Sequence, residues 1–502
     1  MKNTKKIKQI ILNNKVDICI LIAMIAFAFI ICFNFLKPHF PQDAYYISAY
    51  GYSPYIPTFL ASNRMFCALL FKLWIVLDIS LNQEMVLMAT ISIFAMVIAW
   101  FILYKCIIKL IKKENSIVYN IVIVAASFLV VFNFCTAEGL LFIEDATMPL
   151  GVFCSILGAC VLTTDKKIKV IISLLLITIA SVLYQGTVGI FVLLALVLIA
   201  IKHKGNIKLI VKYTIIIGLI YCFAMIFNFI GVKIWSHILN LQSREFDFPS
   251  ISIIINTIIK YGKKLLIDNC GIGPKYWYLE ILIILSITFI INISIKKKNY
   301  FEILEYVVLI ILSIIIPIIP VIVTPVDLQY LEPRMAMCFG SIIGILIIFL
   351  VSVSNIDKNK ILLFIITTIS ILSFIGNSIY MIVASTATLN VNRIEKVIAD
   401  QIINDIEEYE NNTHNQIKGI GVAFDKTFTQ YYKGEPKLGC FSLRSFGTSW
   451  AVKEIITTYN GKVYENVEVP DNIKEEFLTK DWDTYNKEQL VFDGENLYIC
   501  IF

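Results

Sequence analysis

Eleven apolar runs constrain the fold of this chain more than any other feature of its sequence. The first run, from Val16 to Leu36, carries no charge apart from Asp17 at its edge. A helix of about 20 apolar residues crosses the hydrocarbon core of a bilayer, which is roughly 30 Å thick. The runs cover residues 16–36, 85–104, 117–135, 147–163, 170–183, 187–201, 213–231, 278–295, 302–323, 335–353 and 361–383. The sequence thus predicts an α-helical polytopic membrane protein with about eleven transmembrane helices.

The composition excludes an ordinary soluble protein. Hydrophobic residues make up 58% of the 502 positions and charged residues 16%, whereas about a quarter of the residues in soluble domains are charged. The net charge of +6 does not indicate a nucleic-acid partner, because many of the basic residues lie in short segments between apolar runs. No small-residue cleavage site follows the first run, so we expect a retained first helix rather than a signal peptide.

The distribution of lysines predicts the orientation. Lysines cluster in the amino terminus and in segments 105–113, 166–169, 202–208, 296–298 and 358–360. With eleven spans, all of these segments fall on one side, and short lysine-rich loops stay cytoplasmic. We therefore expect a cytoplasmic amino terminus and an extracytoplasmic carboxyl terminus. The abundance of Lys, Ile and Asn is typical of an AT-rich bacterial genome, which indicates a multi-pass protein of the bacterial inner membrane.

The last part of the chain has the composition of a soluble domain from about Thr386. Apolar positions at helical spacing predict a helix over 391–410. Short apolar runs predict strands at 419–424 and 490–502, with a turn and a short helix at 470–479. We expect a transmembrane domain of residues 1–385, followed by a small extracytoplasmic α/β domain of residues 386–502.

Cysteine and histidine spacing gives no sign of a metal centre. The chain has no CxxC pair and no His/Cys cluster at metal-ligand spacing, so we expect no metal and no cofactor. Cys440 and Cys500 share the predicted outer domain, and the sequence leaves open whether they form a disulfide.

The conspicuous polar residues lie in the predicted outer loops. In the first of these, Asp43 follows the first run closely and precedes Tyr45 and Tyr46. A partly desolvated carboxylate near the lipid headgroups is suited to deprotonate an acceptor hydroxyl as a general base, and the tyrosines offer flat faces for sugars. The alternative is a solvated acid beside an interfacial aromatic belt.

Three arginines of the outer loops are candidate substrate ligands. Arg64 begins a segment that is too short to span, Arg244 lies in the long loop 232–277, and Arg334 precedes the tenth run together with Glu332. A guanidinium matches a phosphate group through two parallel hydrogen bonds. The alternatives are a snorkelling arginine for Arg64 and, for Glu332 and Arg334, local ion pairs at the membrane surface.

Two further pairs of polar residues are candidates. Glu144 and Asp145 precede the fourth run. They are candidates to act in catalysis, bind a cation, hold an arginine or orient an acceptor sugar, and the alternative is a pair of acids that the helix dipole favours near a helix amino terminus. Tyr184 and Gln185 lie in the turn between two short runs. Their polar groups need partners, which are either sugar hydroxyls or a buried protein network.

Residues 250–269 predict an amphipathic helix on the outer leaflet. Isoleucines form one face, and Lys260, Lys263 and Lys264 accompany them. The lysines are suited to contact anionic headgroups, and a role in guiding a lipid-phosphate substrate is the alternative.

Together these features resemble the Gtr type II family of bacterial membrane glucosyltransferases, which is similar to the larger GT-C class. The resemblance covers roughly residues 16–450. Its motifs are the early Asp43, the stretch Gly51-Tyr52-Ser53-Pro54, Arg64, the Tyr184-Gln185 turn, Glu332-Pro333-Arg334 and the outer carboxyl-terminal domain.

The resemblance implies a reaction class. It implies an inverting hexosyltransferase that moves a sugar, expected to be glucose, from a polyprenyl-phosphate donor in the bilayer to a cell-surface glycan. Asp43 matches the family's acid in the first outer loop, and Arg64 matches its later arginine. The family often has two adjacent acids where this chain has Gln42-Asp43, which implies that Glu144 or Asp145 shares the role.

A transporter or flippase of lipid-linked sugars is the alternative function. Transporters usually place ionisable residues inside their spans and show repeated halves. Here the few charges within the apolar runs lie near the ends of the runs, and the sequence shows no repeat. The acids of the outer loops therefore favour the enzyme.

Overall fold

The computed structural model describes residues 15–111, 117–142, 147–241, 249–272, 274–295, 300–326, 329–353 and 360–502. In chain order, the α-helices of these residues are α1 (Lys15–Ile31), α2 (Gln42–Tyr50), α3 (Ile56–Ala61), α4 (Met65–Val76), α5 (Leu81–Ile111), α6 (Ile117–Val131), α7 (Phe134–Leu141), α8 (Thr147–Leu162), α9 (Lys169–Leu183), α10 (Val188–Lys202), α11 (Ile207–Ile238), α12 (Ile251–Leu266), α13 (Trp277–Ile295), α14 (Tyr300–Ile322), α15 (Met337–Val353), α16 (Lys360–Thr413), α17 (Ser449–Asn460) and α18 (Asp471–Phe477). The strands are β1 (Gly419–Phe424), β2 (Glu465–Asn466), β3 (Leu490–Asp493) and β4 (Asn496–Ile501). An α-helix occupies each of the eleven predicted apolar runs.

Not every apolar helix is long enough to cross a membrane. Among the described residues, six helices qualify by length and composition, and the bent pair α6 and α7 would make a seventh. Helices α8 and α9 contain 16 and 15 residues, fewer than the roughly 20 that a span needs. The chain is therefore a mostly helical membrane protein, and the count of eleven spans stays a prediction.

A bend of 51° separates α6 from α7 inside the bundle. At the break, the Asn133 side chain accepts hydrogen bonds from the backbone N–H groups of Cys135 and Thr136. The Thr136 hydroxyl accepts in turn from the backbone N–H of Asn133, at 3.0 Å. This capping box satisfies backbone donors at the start of α7, which matters where no water is available to them. The chain can therefore change direction within the bundle and place Glu138 in its interior.

Helix α15 packs tightly against α6 because it carries small residues at the contact. A Cβ atom on Gly344 would lie 2.4 Å from the carbonyl oxygen of Ala126, and one on Gly340 would lie 2.2 Å from Asn133 Oδ1. Small residues allow the backbones of membrane helices to approach closely. This packing fixes the start of α15, and with it the preceding 3₁₀ turn Pro333–Ala336.

Helix α16 extends for 54 residues without a break, which corresponds to roughly 80 Å. The predicted helix over 391–410 is the far part of this element and not a separate helix. The helix therefore passes straight through the predicted domain boundary at residue 386. We call residues 386–502 the carboxyl-terminal region.

A four-stranded sheet in the order β2-β1-β4-β3 forms the core of the carboxyl-terminal region. Strand β1 pairs in parallel with β4 and β2, and β3 pairs antiparallel with β4. The predicted strand at 419–424 is confirmed, and so is the short helix within 470–479. The predicted strand at 490–502 is a hairpin of two strands, because Gly494 turns the chain with a φ of +60°. Cys500 lies buried in β4, and both it and Cys440 are free thiols.

Candidate active site

A cavity of about 510 Å³ lies between the helical bundle and the carboxyl-terminal region. We call it the central cavity. Its volume is typical of a small-molecule site. It brings together three of the predicted site residues, which are Asp43, Glu332 and Arg334. Lys264 of α12 and Cys440 also line it.

The segment that carries Asp43 is held between α16 and the carboxyl-terminal region. The Asn392 side chain accepts from the backbone N–H of Phe40 at 2.8 Å and donates to the carbonyl oxygen of Phe40 at 2.8 Å. Gln42 Nε2 donates to Thr448 Oγ1 at 2.7 Å. These bonds fix the start of α2, and Asp43 lies in its first turn.

Asp43 is partly exposed and engaged by a tyrosine. The Tyr55 hydroxyl donates a hydrogen bond to Asp43 Oδ1 at 2.7 Å. Such a bond holds the carboxylate in one orientation. The interpretation of Asp43 as a freely solvated loop acid therefore does not describe its surroundings, since it lines a cavity and has a defined partner.

Arg334 is anchored by a fully buried acid. Its guanidinium Nη1 lies 3.4 Å from Glu138 Oε2, and its backbone N–H donates to the same oxygen at 2.9 Å. The guanidinium also lies 4.4 Å from the centre of the Phe142 ring. Arg334 thus has a local ion pair, as the alternative interpretation expected, and the partner in this pair is Glu138.

Glu332 belongs to a second group of contacts on the cavity wall. It lies 3.9 Å from Lys264 Nζ and 3.8 Å from Cys440 Sγ. Lys264 also donates to the carbonyl oxygen of Leu331 at 2.5 Å. These contacts place an ammonium group and a guanidinium group in the wall of one cavity.

Glu138, Glu332 and Cys440 place possible ligand atoms within 4.8 Å of one another. Arg334 already contacts Glu138 and approaches Cys440 Sγ at 3.7 Å. Burial raises the pKa of the Cys440 thiol well above its usual range, and only a thiolate is a good metal ligand. The cluster is therefore better suited to an ion-pair network than to a bound metal.

Of the other predicted site residues, three lie among the described residues but away from the central cavity, and three lie outside the described residues. The Arg64 guanidinium lies 5.0 Å from the centre of the Tyr184 ring. Gln185 donates to the carbonyl oxygen of Ser62 at 3.2 Å and to Asn228 Oδ1 at 3.1 Å. These three residues do not line the central cavity, and the partners of Gln185 form the buried network that was one of the two alternatives. Glu144, Asp145 and Arg244 lie outside the described residues.

The turn at 185–187 packs against the segment that carries Arg334. A Cβ atom on Gly186 would lie 2.5 Å from the carbonyl oxygen of Arg334, so this turn packs directly against the backbone that carries Arg334. Tyr184, which immediately precedes this turn, therefore lies close to the segment that carries Arg334.

Comparison with known protein families decides the class of this protein. The family model described as glucosyl transferase GtrII matches residues 46–345. The chain belongs to the GtrII family. No curated protein matches the chain. The family match covers well over half of the sequence and includes both Arg64 and Arg334, whereas Asp43 lies three residues before it.

Membership of the GtrII family makes this membrane protein a glycosyltransferase, and specifically a glucosyltransferase. The matched segment contains the amphipathic helix α12, whose Lys264 lines the central cavity. It also contains the bent pair α6 and α7, whose Glu138 pairs with Arg334. Most of the carboxyl-terminal region lies outside the match, although it completes the cavity.

Sequence reasoning missed several residues of the central cavity of this GtrII protein. It noted Lys264 only as one of three lysines on α12, and it did not identify Asn392 or residues 430–443. The amphipathic pattern of α12 was a signal for Lys264 that could not be separated from membrane anchoring. No sequence signal pointed to Asn392, because its partner Phe40 lies 352 positions away.

His39 fixes the segment before Asp43 in this GtrII protein. Its ring is buried, with Nδ1 2.8 Å from the carbonyl oxygen of Lys37 and Nε2 3.1 Å from that of Leu141. Burial lowers the pKa of His39 from its usual 6.5, and the neighbouring carbonyl oxygens oppose this shift. The folded state therefore prefers the neutral ring.

We expect the thermal midpoint of the detergent-solubilised protein to fall as the pH drops below about 6.5. The contribution of His39 is present above the unfolded-state pKa and is lost as the pH falls through the lower folded-state pKa. His39→Gln should flatten this slope. The exposed His414 is the matched control, and His414→Gln should leave the slope unchanged. An equal slope in the wild type and His39→Gln would contradict the assignment.

Proposed function

We propose that this GtrII protein transfers glucose from a polyprenyl-phosphate donor to a cell-surface glycan on the outer face of the bacterial inner membrane. The observation that carries this proposal is the central cavity, which Asp43 lines together with Lys264 and Arg334. A carboxylate and two cations are the groups that an acceptor hydroxyl and a departing phosphate require. The proposal includes a GT-C-like fold with eleven spans, a cytoplasmic amino terminus and an outer domain of residues 386–502.

The reaction is an inverting displacement. Asp43 accepts the proton of an acceptor hydroxyl, whose oxygen attacks the anomeric carbon of the donor glucose. The bond between this carbon and the phosphate oxygen breaks, and polyprenyl phosphate leaves with the electron pair. Lys264 and Arg334 stabilise the negative charge that develops on the phosphate. Arg64, Tyr184 and Gln185 support this wall of the cavity. We assign Arg244 to substrate binding, and Glu144 or Asp145 to a share of the role of Asp43.

The proposed donor fits the position of the cavity. Helix α12 is amphipathic, with exposed Ile251, Ile255 and Ile259 available to lipid, and it presents Lys264 to the cavity. A polyprenyl chain can remain in the bilayer while its phosphate meets the ammonium group at the interface. In this proposal α12 both anchors to the outer leaflet and guides the lipid phosphate.

The direct test supplies radiolabelled polyprenyl-phosphate glucose to membranes that contain the protein. Labelling of an envelope polysaccharide by the wild type, and none by membranes without the protein, is the expected result. Movement of the intact lipid-linked sugar across the bilayer without transfer would support a flippase and overturn the proposal.

Lys264→Met should raise the KM for the polyprenyl-phosphate donor by about 10- to 100-fold, because a hydrogen bond to a charged group contributes roughly 1.5–3 kcal/mol. Lys263 is the matched control, since it neighbours Lys264 on α12 but is exposed and does not line the cavity. Lys263→Met should leave this KM near the wild-type value. Equal effects of the two substitutions would indicate general attraction to the membrane surface instead of a phosphate ligand.

A further inference from the structure

A second cavity, of about 450 Å³, lies where α2 meets the carboxyl-terminal region. We call it the aromatic groove. It borders α17 and the edge strand β2. The side chains that characterise it are those of Tyr46, Trp450, Lys453, Glu454, Glu468 and Lys474.

Two aromatic rings give the groove flat apolar surfaces. The side chain of Trp450 is 41% exposed although it is large and apolar. Tyr46 is held in place by other rings, with its centroid 4.8 Å from that of Tyr50 and 5.3 Å from that of Tyr55. Rigid aromatic groups with little conformational freedom to lose are effective binding surfaces. Their flat faces suit the C–H faces of sugar rings.

Glu454 supplies an acidic group to the wall of the groove. Its side chain is only 2% exposed, its Oε1 atom lies 3.8 Å from Lys453 Nζ, and the Tyr50 hydroxyl interacts with its carboxylate. Lys453 and Tyr50 thus hold this carboxylate in the groove wall.

The charges of the groove indicate a neutral ligand. Its two lysines are balanced by its two glutamates, and Glu468 lies 3.5 Å from Lys474. A groove for phosphate groups or nucleic acid would carry an excess of positive charge. Exposed Asn466 adds an amide that can both donate and accept, and hydroxyl groups need both functions.

Helix α2 connects the groove with the central cavity. Asp43 and Tyr46 are three residues apart on this helix, so their side chains lie on neighbouring parts of one face. The Tyr55 ring that packs on Tyr46 also carries the hydroxyl that donates to Asp43. A chain molecule seated in the groove would therefore lead towards the carboxylate.

We propose that the aromatic groove binds the acceptor glycan, a neutral sugar chain whose rings stack on Trp450 and Tyr46 while its reacting hydroxyl reaches Asp43. This inference rests on the proposed transferase function and assigns the acceptor to a place in the structure. The carboxyl-terminal region thus selects the acceptor, and the helical bundle holds the donor.

The test measures Trp450→Ala with radiolabelled polyprenyl-phosphate glucose as the donor and polysaccharide extracted from the envelope of the source bacterium as the acceptor. We expect the KM for the polysaccharide to rise by about tenfold or more, with the KM for the donor unchanged. Trp450→Tyr keeps a flat ring and should restore most of the affinity. Leu478 is exposed in the same region but lies outside the groove, so Leu478→Ala should match the wild type.

Binding measured apart from transfer separates this inference from the proposed function. The polysaccharide should change the tryptophan fluorescence of the wild type in detergent, and Trp450→Ala should lose most of that change. A fluorescence change in a wild type that transfers no glucose would support the groove and overturn the proposed function. An unchanged KM and an unchanged fluorescence response in Trp450→Ala would overturn the groove.

Discussion

Asp43→Asn should lower the rate of glucosyl transfer by about 10²- to 10⁴-fold, the usual contribution of a general base. The substitution keeps the size of the side chain and an oxygen that can accept the bond from the Tyr55 hydroxyl. It removes the basic site that takes the acceptor proton. The measurement is the initial rate of label transfer from polyprenyl-phosphate glucose at matched protein amounts.

Two further variants make the test of Asp43 specific. Asp43→Glu keeps a carboxylate and should retain part of the activity. Asp268 is a partly exposed acid that pairs with Lys275 at 3.5 Å and does not line the central cavity, so Asp268→Asn should behave as the wild type. Near-normal transfer by Asp43→Asn would remove this residue from the mechanism and direct attention to Glu144 and Asp145.

Arg334→Gln should destabilise the protein by about 3–5 kcal/mol, the cost of leaving one charge of a buried pair without its partner. The Glu138 side chain is fully buried, and the Arg334 side chain is 20% exposed, so solvent can relieve little of this cost. The thermal midpoint of the detergent-solubilised protein measures the loss. Transfer should fall as well, because the phosphate loses a guanidinium group.

The double variant Glu138→Gln/Arg334→Gln separates the two roles of Arg334. With both charges removed, stability should return close to the wild-type value, since the backbone N–H of residue 334 can still donate to the amide oxygen at position 138. Transfer should remain low if Arg334 binds the phosphate. Recovery of both stability and transfer would show that the arginine only neutralises Glu138.

Local patterns predicted the helices and strands well, and distant contacts account for what they missed. Each apolar run forms a helix because hydrophobic spacing is a property of neighbouring residues, and the strand at 419–424 follows from the same kind of pattern. The continuity of α16 was missed because its sequence changes from apolar to amphipathic without a helix breaker. The number of membrane-spanning helices was harder to predict than the helices themselves, because α8 and α9 are helical but are shorter than a membrane span requires.

The candidate site could be predicted only in part, because it depends on contacts between residues that are far apart in the sequence. Asp43, Glu332 and Arg334 stood out because charged residues next to apolar runs are conspicuous. Their common cavity depends on pairs such as Arg334 with Glu138, which are 196 positions apart. One sequence does not show such pairing. The turn at Tyr184 and Gln185 shows the reverse case, in which conspicuous polar groups proved to be bonded within the protein.

The unbroken course of α16 has a mechanical consequence for the enzyme. Thr388 on this helix donates to the carbonyl oxygen of Phe441 at 2.9 Å, so the wall of the central cavity formed by residues 439–441 is coupled to the helix. Each residue inserted near position 385 would rotate that wall by about 100° and raise it by about 1.5 Å. A thicker bilayer would be accommodated by a change in the tilt of the helix, and the cavity wall would move with it. A change in bilayer thickness would thereby alter the width of the central cavity.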